Sequence, residues 1–223
     1  MDYKRISLFA GHYGSGKTNV AVNYALRMKK IFEKVTVADI DIVNPYFRTK
    51  DGEKILNECG IELISSEYAN SNVDLPALPP ELYSITQKRD TAAVIDVGGD
   101  DRGALALGRY SSQIADENNY HMFLVINMYR PETRDAKSTY EIMREIEESG
   151  GLRFTAVVNN SNLGEETEPE DVLKSVGYAK EVSELTGLPI YMTTVESGIF
   201  PYLDEKIENL VPINIYVNWK DRI

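Results

Sequence analysis

Eight residues near the start of the chain, Gly11-His12-Tyr13-Gly14-Ser15-Gly16-Lys17-Thr18, have the types and spacing of a phosphate cradle, G-x-x-x-x-G-K-[ST]. Glycines let the backbone curl so that successive N–H groups converge on phosphate oxygens. A helix that starts at the end of the loop adds free N–H groups and a dipole that favours an anion. In such a loop the Lys17 ammonium neutralises the β- and γ-phosphates, and the Thr18 hydroxyl is a Mg²⁺ ligand. Gly11, His12, Tyr13, Gly14, Ser15, Gly16, Lys17, Thr18 and the adjoining Asn19 therefore form the expected nucleotide contact.

Two more stretches carry carboxylates at the ends of apolar runs. Val35-Thr36-Val37-Ala38-Asp39-Ile40-Asp41 ends in Asp-x-Asp, and Ala92-Ala93-Val94-Ile95-Asp96-Val97-Gly98-Gly99 ends in Asp followed by two glycines. Ligands of open α/β sheets bind at the carboxyl ends of parallel strands. The second stretch has the Walker B pattern. In it Asp96 holds Mg²⁺ through water, and Gly98 and Gly99 let the backbone approach the γ-phosphate. Arg48, Arg102, Arg109 and Arg130 each follow a strand end, where a cation can meet phosphate; Arg102, beside the Walker B segment, is the preferred one. His12 is either a phosphate contact or a solvent-facing loop residue, and Asp100 and Asp101 either cap the next helix or act as a switch.

The elements that must position these groups alternate along the chain. Ile6–Ala10 reads as a strand feeding the loop, and the helix after it carries Val20, Tyr24 and Met28 on one face. Further strands are expected at 35–41, 61–64, 92–97, 122–126, 154–158 and 189–192, with an edge strand at 213–219. Helices are expected within 48–59, closed by Gly60, over 81–88, from Asp100 to about 117, after Pro131 up to Gly150-Gly151, and up to Gly187. Thr167-Glu168-Pro169-Glu170 reads as the capping box of that last helix. Alternation of strands and helices means parallel β-α units with right-handed crossovers. The irregular 65–90 stretch, with Pro76, Pro79 and Pro80, is long enough to suggest a functional loop.

The 223 residues suit a single domain, 1–223. A formal net charge of -11 argues against nonspecific nucleic-acid binding, which needs cations to displace counterions, and against docking on anionic lipid. No apolar run is long enough for an integral membrane segment. With a strand expected almost at once, no signal peptide is expected. The single cysteine, Cys59, excludes an intrachain disulfide and reads as a buried small hydrophobe, so the expected compartment is the reducing cytoplasm. The 14 tyrosines are read as core edge and partner surface, and His121 as a strand residue without chemistry.

The GHYGSGKT loop, the DID strand end and the VIDVGG strand end together resemble the MinD/ParA/CobQ-type branch of the P-loop NTPases, over the chain from Ile6 to about Met192. The resemblance implies a three-layer α/β/α sandwich with a mostly parallel central sheet, binding ATP and Mg²⁺. It implies that Asp41 orients the attacking water, that Asp39 supports the metal shell with Thr18 and Asp96, and that Asn159 reads the base, with backbone near Thr194 and Val195 packed on adenine. The catalytic set on this reading is Lys17, Asp41 and Arg102. Many members carry a lysine early in the loop that reaches a partner subunit's nucleotide; here His12 stands there, which puts a nucleotide-sandwich homodimer in question. Three functions follow: a slow ATPase switch acting on a protein partner, an ATP-dependent small-molecule ligase or kinase, and a nucleotide-binding module without turnover. Adenine is expected over guanine, because Asn159-Asn160-Ser161-Asn162 lacks the terminal carboxylate that accepts from guanine.

Overall fold

The computed structural model describes residues 2–40, 52–65, 82–99 and 101–216, and of Asp101 and Arg102 the backbone alone. The Asp41 and Arg48 positions and most of the 65–90 stretch lie outside the described residues. So does the 217–219 part of the expected edge strand.

Among the described residues eight strands form one sheet: β1 Ile6–Ala10, β2 Val35–Asp39, β3 Glu62–Ser65, β4 Ala92–Asp96, β5 Tyr120–Ile126, β6 Ala156–Asn159, β7 Ile190–Glu196 and β8 Leu210–Ile213. Their order is β3-β2-β4-β1-β5-β6-β7-β8. Every pairing between these neighbours is parallel. Among the described residues seven α-helices connect them: α1 Lys17–Met28, α2 Glu53–Glu58, α3 Leu82–Gln87, α4 Asp101–Gly108, α5 Ser111–Glu117, α6 Ala136–Gly150 and α7 Pro169–Thr186.

A central strand has both faces buried, so its side chains alternate between two cores. Ile6, Leu8 and Ala10 of β1, with Ala93 and Ile95 of β4 and Met122, Leu124 and Ile126 of β5, face one core. That core is closed by Leu107 of α4, Ile114 of α5, Met143 and Ile146 of α6, and Ala179 and Val182 of α7. Phe9, Ala92, Val94, Phe123 and Val125 face the other way, onto Val20, Tyr24 and Met28 of α1 and Leu56 of α2. Helices on both faces of a parallel sheet give the expected three layers.

Several local expectations shift, each for a visible reason. The helix expected to run to about residue 117 breaks into α4 and α5, because the chain turns at Tyr110. Its backbone N–H bonds the Leu107 carbonyl, and its ring packs edge-on against Tyr83 at 5.1 Å between centroids. After Pro131 the chain first makes a single 3-10 turn, Pro131–Thr133, and α6 starts beyond it, capped by the Asp135 side chain on the Ser138 N–H. The capping box of α7 sits one residue later than expected. Pro169 takes the first helical position, so Glu168 becomes the cap and its partner is Asp171. The Thr167 hydroxyl instead bonds the Gly164 carbonyl at 2.6 Å. The edge strand is β8, earlier than expected, and β7 runs on to Glu196. Cys59 is exposed rather than buried, since it follows the last turn of α2, where only Leu56 faces inward.

Candidate nucleotide site

β1 lies in the middle of the sheet, between β4 and β5, and its carboxyl end delivers the glycine loop to the crevice above the strand ends. Gly14 and Gly16 have φ of +78° and +83°, left-handed values that favour glycine. They turn the chain sharply so that α1 begins directly at Lys17. Lys17 is buried, and its ammonium lies 3.5 Å from the His12 carbonyl, curled back over its own loop.

The neighbouring strand ends meet this loop. Asp96 closes β4 and Asp39 closes β2, and the two are register partners, both buried. The Thr18 hydroxyl donates to the Asp96 carboxylate at 2.7 Å. Beyond Asp96 the chain must pass very close to the loop. A Cβ at Gly99 would stand 2.7 Å from the Tyr13 nitrogen and 2.9 Å from the Lys17 ammonium nitrogen. The turn after β4 thus packs at Gly99 directly on the glycine loop.

A hydroxyl, a buried carboxylate and a second carboxylate at its side form an oxygen donor set of the kind Mg²⁺ takes. Mg²⁺ needs only one or two protein oxygens when phosphates and waters supply the rest. Among the described residues no cluster of three or more acidic, His or Cys side chains could hold a metal alone. Thr18 and Asp96, with Asp39 beside them, are the residues that would hold a metal brought with a nucleotide, and such a metal would supply positive charge against the phosphates.

A cavity of about 410 Å³ opens beside the loop. Tyr13, Gly14, Gly16, Lys17, Thr18 and Asn19 line one end, and Thr194, Val195, Glu196, Ile213 and Ile215 are also in its wall. The loop after β6 supplies Asn160, Ser161, Asn162, Gly164 and Glu165. Thr194 and Val195 stand in the cavity wall.

Asn159 does not. Its amide is buried behind the wall, where it donates to the Ser175 hydroxyl of α7 at 2.8 Å and accepts from the Ser161 hydroxyl at 2.8 Å. Side chains alternate along β6, so the next residue faces the cavity instead. Asn160 donates to the Ser15 carbonyl at 2.7 Å and accepts from the Thr194 hydroxyl at 2.6 Å. This residue ties the loop after β6 to the phosphate cradle and to β7. Sequence reasoning missed it because two consecutive asparagines differ only in the face they occupy.

His12 and the arginines are also settled in part. The His12 ring is turned to its own chain, with Nδ1 3.0 Å from the Tyr13 carbonyl oxygen and 3.8 Å from the Glu132 carboxylate. Arg130, a low-ranked position in the sequence, lines the cavity and donates its Nε–H to the Gly14 carbonyl at 2.9 Å. Arg109 is exposed in the break between α4 and α5 and is not in the cavity wall. For Arg102 only the backbone is described, at the start of α4. There a Cβ at Gly103 would lie 2.5 Å from the Gly98 Cα, so this helix start packs on the Walker B glycines.

No protein-family model matches the sequence, and none of the curated proteins does. Solved structures do. Chloroplast FtsY from Physcomitrella patens aligns with a TM-score of 0.60 at 18% identity, over 89% of this chain and 61% of that one. The signal recognition particle receptor FtsY from Elizabethkingia anophelis aligns with a TM-score of 0.55 at 16% identity, over 86% and 59%. The signal recognition particle 54 kDa protein from Aeropyrum pernix, in complex with GDP, aligns with a TM-score of 0.52 at 16% identity, over 86% and 41%. The chain spans about three-fifths of the length of these FtsY structures. At such identities the likeness is one of fold, and that fold is the P-loop NTPase α/β architecture. It does not single out the MinD/ParA/CobQ branch. No helix among the described residues is long and apolar enough to cross a membrane.

Proposed function

We propose that the protein binds Mg-ATP in this cavity and works as a slow nucleotide switch of the MinD/ParA/CobQ kind, read by a protein partner. The observation that carries the reading is the junction of Lys17, Thr18 and Asp96. A buried ammonium and a hydroxyl bonded to a strand-end carboxylate at 2.7 Å converge at the phosphate end of the cavity. Lys17 neutralises phosphate charge, Thr18 and Asp96 offer oxygens to the metal with Asp39 beside them, and Asp41 and Arg102 are proposed to act on the γ-phosphate.

Slow turnover follows from His12. The position that carries a cross-subunit lysine in many relatives is here an imidazole packed on Tyr13 and Glu132 of its own chain. An imidazole packed in this way is not the fixed cation on a long flexible stem that a lysine presents, so less positive charge can be offered to a second active site.

Adenine is favoured because the residue where guanine binders place a carboxylate is Asn162. Its amide is engaged locally, donating to the Asn160 carbonyl at 2.7 Å and accepting from the Gly164 N–H at 3.1 Å.

Isothermal titration with ATP and GTP in Mg²⁺, together with steady-state phosphate release from ATP alone, tests the reading. The expected result is tighter ATP than GTP binding, slow release, and a roughly tenfold to hundredfold loss of ATP affinity in Lys17→Ala, the value of a charge-assisted hydrogen bond. Unchanged affinity in Lys17→Ala removes the loop from nucleotide binding. Tighter GTP binding overturns the base assignment. Brisk turnover by the isolated protein overturns the slow switch.

A further inference from the structure

We propose that Arg130 is a second phosphate clamp, supplied by the chain itself, and that it provides with Lys17 the positive charge a nucleoside polyphosphate needs in this cavity. The inference rests on the nucleotide reading above and adds a residue to it.

The first observation is the anchoring of the guanidinium. Its Nε–H donates to the Gly14 carbonyl at 2.9 Å, and a Cβ at Gly14 would meet Nε at 3.2 Å and Cδ and Cζ at 3.5 Å. The group therefore lies against the middle of the glycine loop. With Nε engaged, the outer edge of the guanidinium, formed by Nη1 and Nη2, keeps two parallel N–H donors. No further hydrogen bond or ion pair holds the Arg130 side chain among the described residues. That edge is the fork that grips a phosphate through two bonds.

The second observation is the backbone that presents it. The Arg130 N–H bonds the Asn127 carbonyl at 3.1 Å, and the Arg130 carbonyl accepts from the Thr133 N–H at 3.1 Å. The Thr133 hydroxyl returns to the Asn127 carbonyl at 2.7 Å. Asn127 is buried, and its side chain accepts from the Tyr129 N–H at 3.0 Å and from the Asn162 N–H at 3.2 Å. Pro131 fixes the next φ. The turn is thus ordered before any ligand arrives, which lowers the entropy cost of using a long side chain.

The third observation is charge. The described cavity wall has two cations, Lys17 and Arg130, and two carboxylates, Glu165 and Glu196. With Lys17 alone the wall would be net negative, in a protein whose formal charge is already -11. Arg130 is the second described cation of this wall, and it is seated on the loop.

The test compares wild type, Arg130→Gln and Arg130→Lys by titration with Mg-ATP and Mg-ADP, alongside thermal melting without nucleotide. Arg130 is exposed, so both variants are expected to melt with the wild type. Arg130→Gln is expected to lose roughly tenfold to hundredfold in affinity for both nucleotides. Arg130→Lys keeps the charge without the fork and is expected to fall between. Wild-type binding with an Arg130→Gln affinity within twofold of it overturns this proposal and leaves the nucleotide site standing. Absence of ATP binding by the wild type itself overturns both.

Discussion

Replacing Asn160 by alanine is expected to destabilise the protein and, at the same time, to make room for a side chain at Gly16. The Asn160 amide is the donor to the buried Ser15 carbonyl at 2.7 Å, and its loss costs about 2 kcal/mol, within the range for a buried polar group deprived of its partner. The Thr194 hydroxyl can turn instead to the Asn159 carbonyl, already 3.4 Å away, so the second lost bond adds little. For a chain of this size the melting temperature should fall by about 4–8 °C. Gly16→Ala is expected to cost more. An L-residue at φ +83° carries about 1–2 kcal/mol of left-handed strain. Its Cβ would also lie 2.3 Å from the Asn160 amide nitrogen, breaking the same bond to Ser15 for about 2 kcal/mol more. The two substitutions share that bond, so the double variant should lose about 2 kcal/mol less than the sum of the singles. Urea unfolding of all four proteins without nucleotide measures this coupling directly. Additivity to within about 0.5 kcal/mol would show that Gly16 and Asn160 act independently and would refute the lock between the two loops.

Two other outcomes follow from the same geometry. Thr18→Val keeps the shape but removes the hydroxyl that faces Asp96, so nucleotide affinity should lose most of its dependence on Mg²⁺ while metal-free binding changes little; titration with and without EDTA reads this out. At the opposite end of the sheet the Arg5 guanidinium bonds both carboxylate oxygens of Glu117 and the Ile85, Lys88 and Thr91 carbonyls. That guanidinium holds the Glu117 carboxyl below its usual pKa. The sign follows from the lowered value. The stabilisation is present above the unfolded carboxylate pKa of about 4.3 and is lost as pH falls through the lower folded one. Glu117→Gln should therefore be less stable at pH 7 by roughly 2 kcal/mol. It should also show a shallower loss of stability below pH 4 in denaturant titrations; parallel pH curves would rule the pair out as a contributor.

The sequence by itself determined the phosphate loop, the two carboxylate strand ends and the alternation of strands and helices. Those signals are local: a glycine spacing, an apolar run that stops at a charge, a helical repeat of Val20, Tyr24 and Met28. Thr18 and Asp96, 78 residues apart, were expected only as ligands of one metal; that β1 and β4 lie side by side and bring the hydroxyl onto the carboxylate was decided by the sheet order. Tertiary structure alone decided which of two adjacent asparagines faces the cavity. Asn159 and Asn160 are alike as residues, and only the phase of β6 against α7 sends one to Ser175 and the other to Ser15. It also separated Arg130 from Arg109. Each follows a strand end, but a side chain's reach depends on the turn that carries it. The turn fixed by Asn127 and Thr133 lays Arg130 on Gly14. His12 reads in sequence as an altered partner-facing position. Only the packing of the Pro131–Thr133 turn brings Glu132 to within 3.8 Å of its ring. Strand and loop identity come from neighbours along the chain, whereas the direction of a side chain at a strand end is set by whatever element happens to pack there.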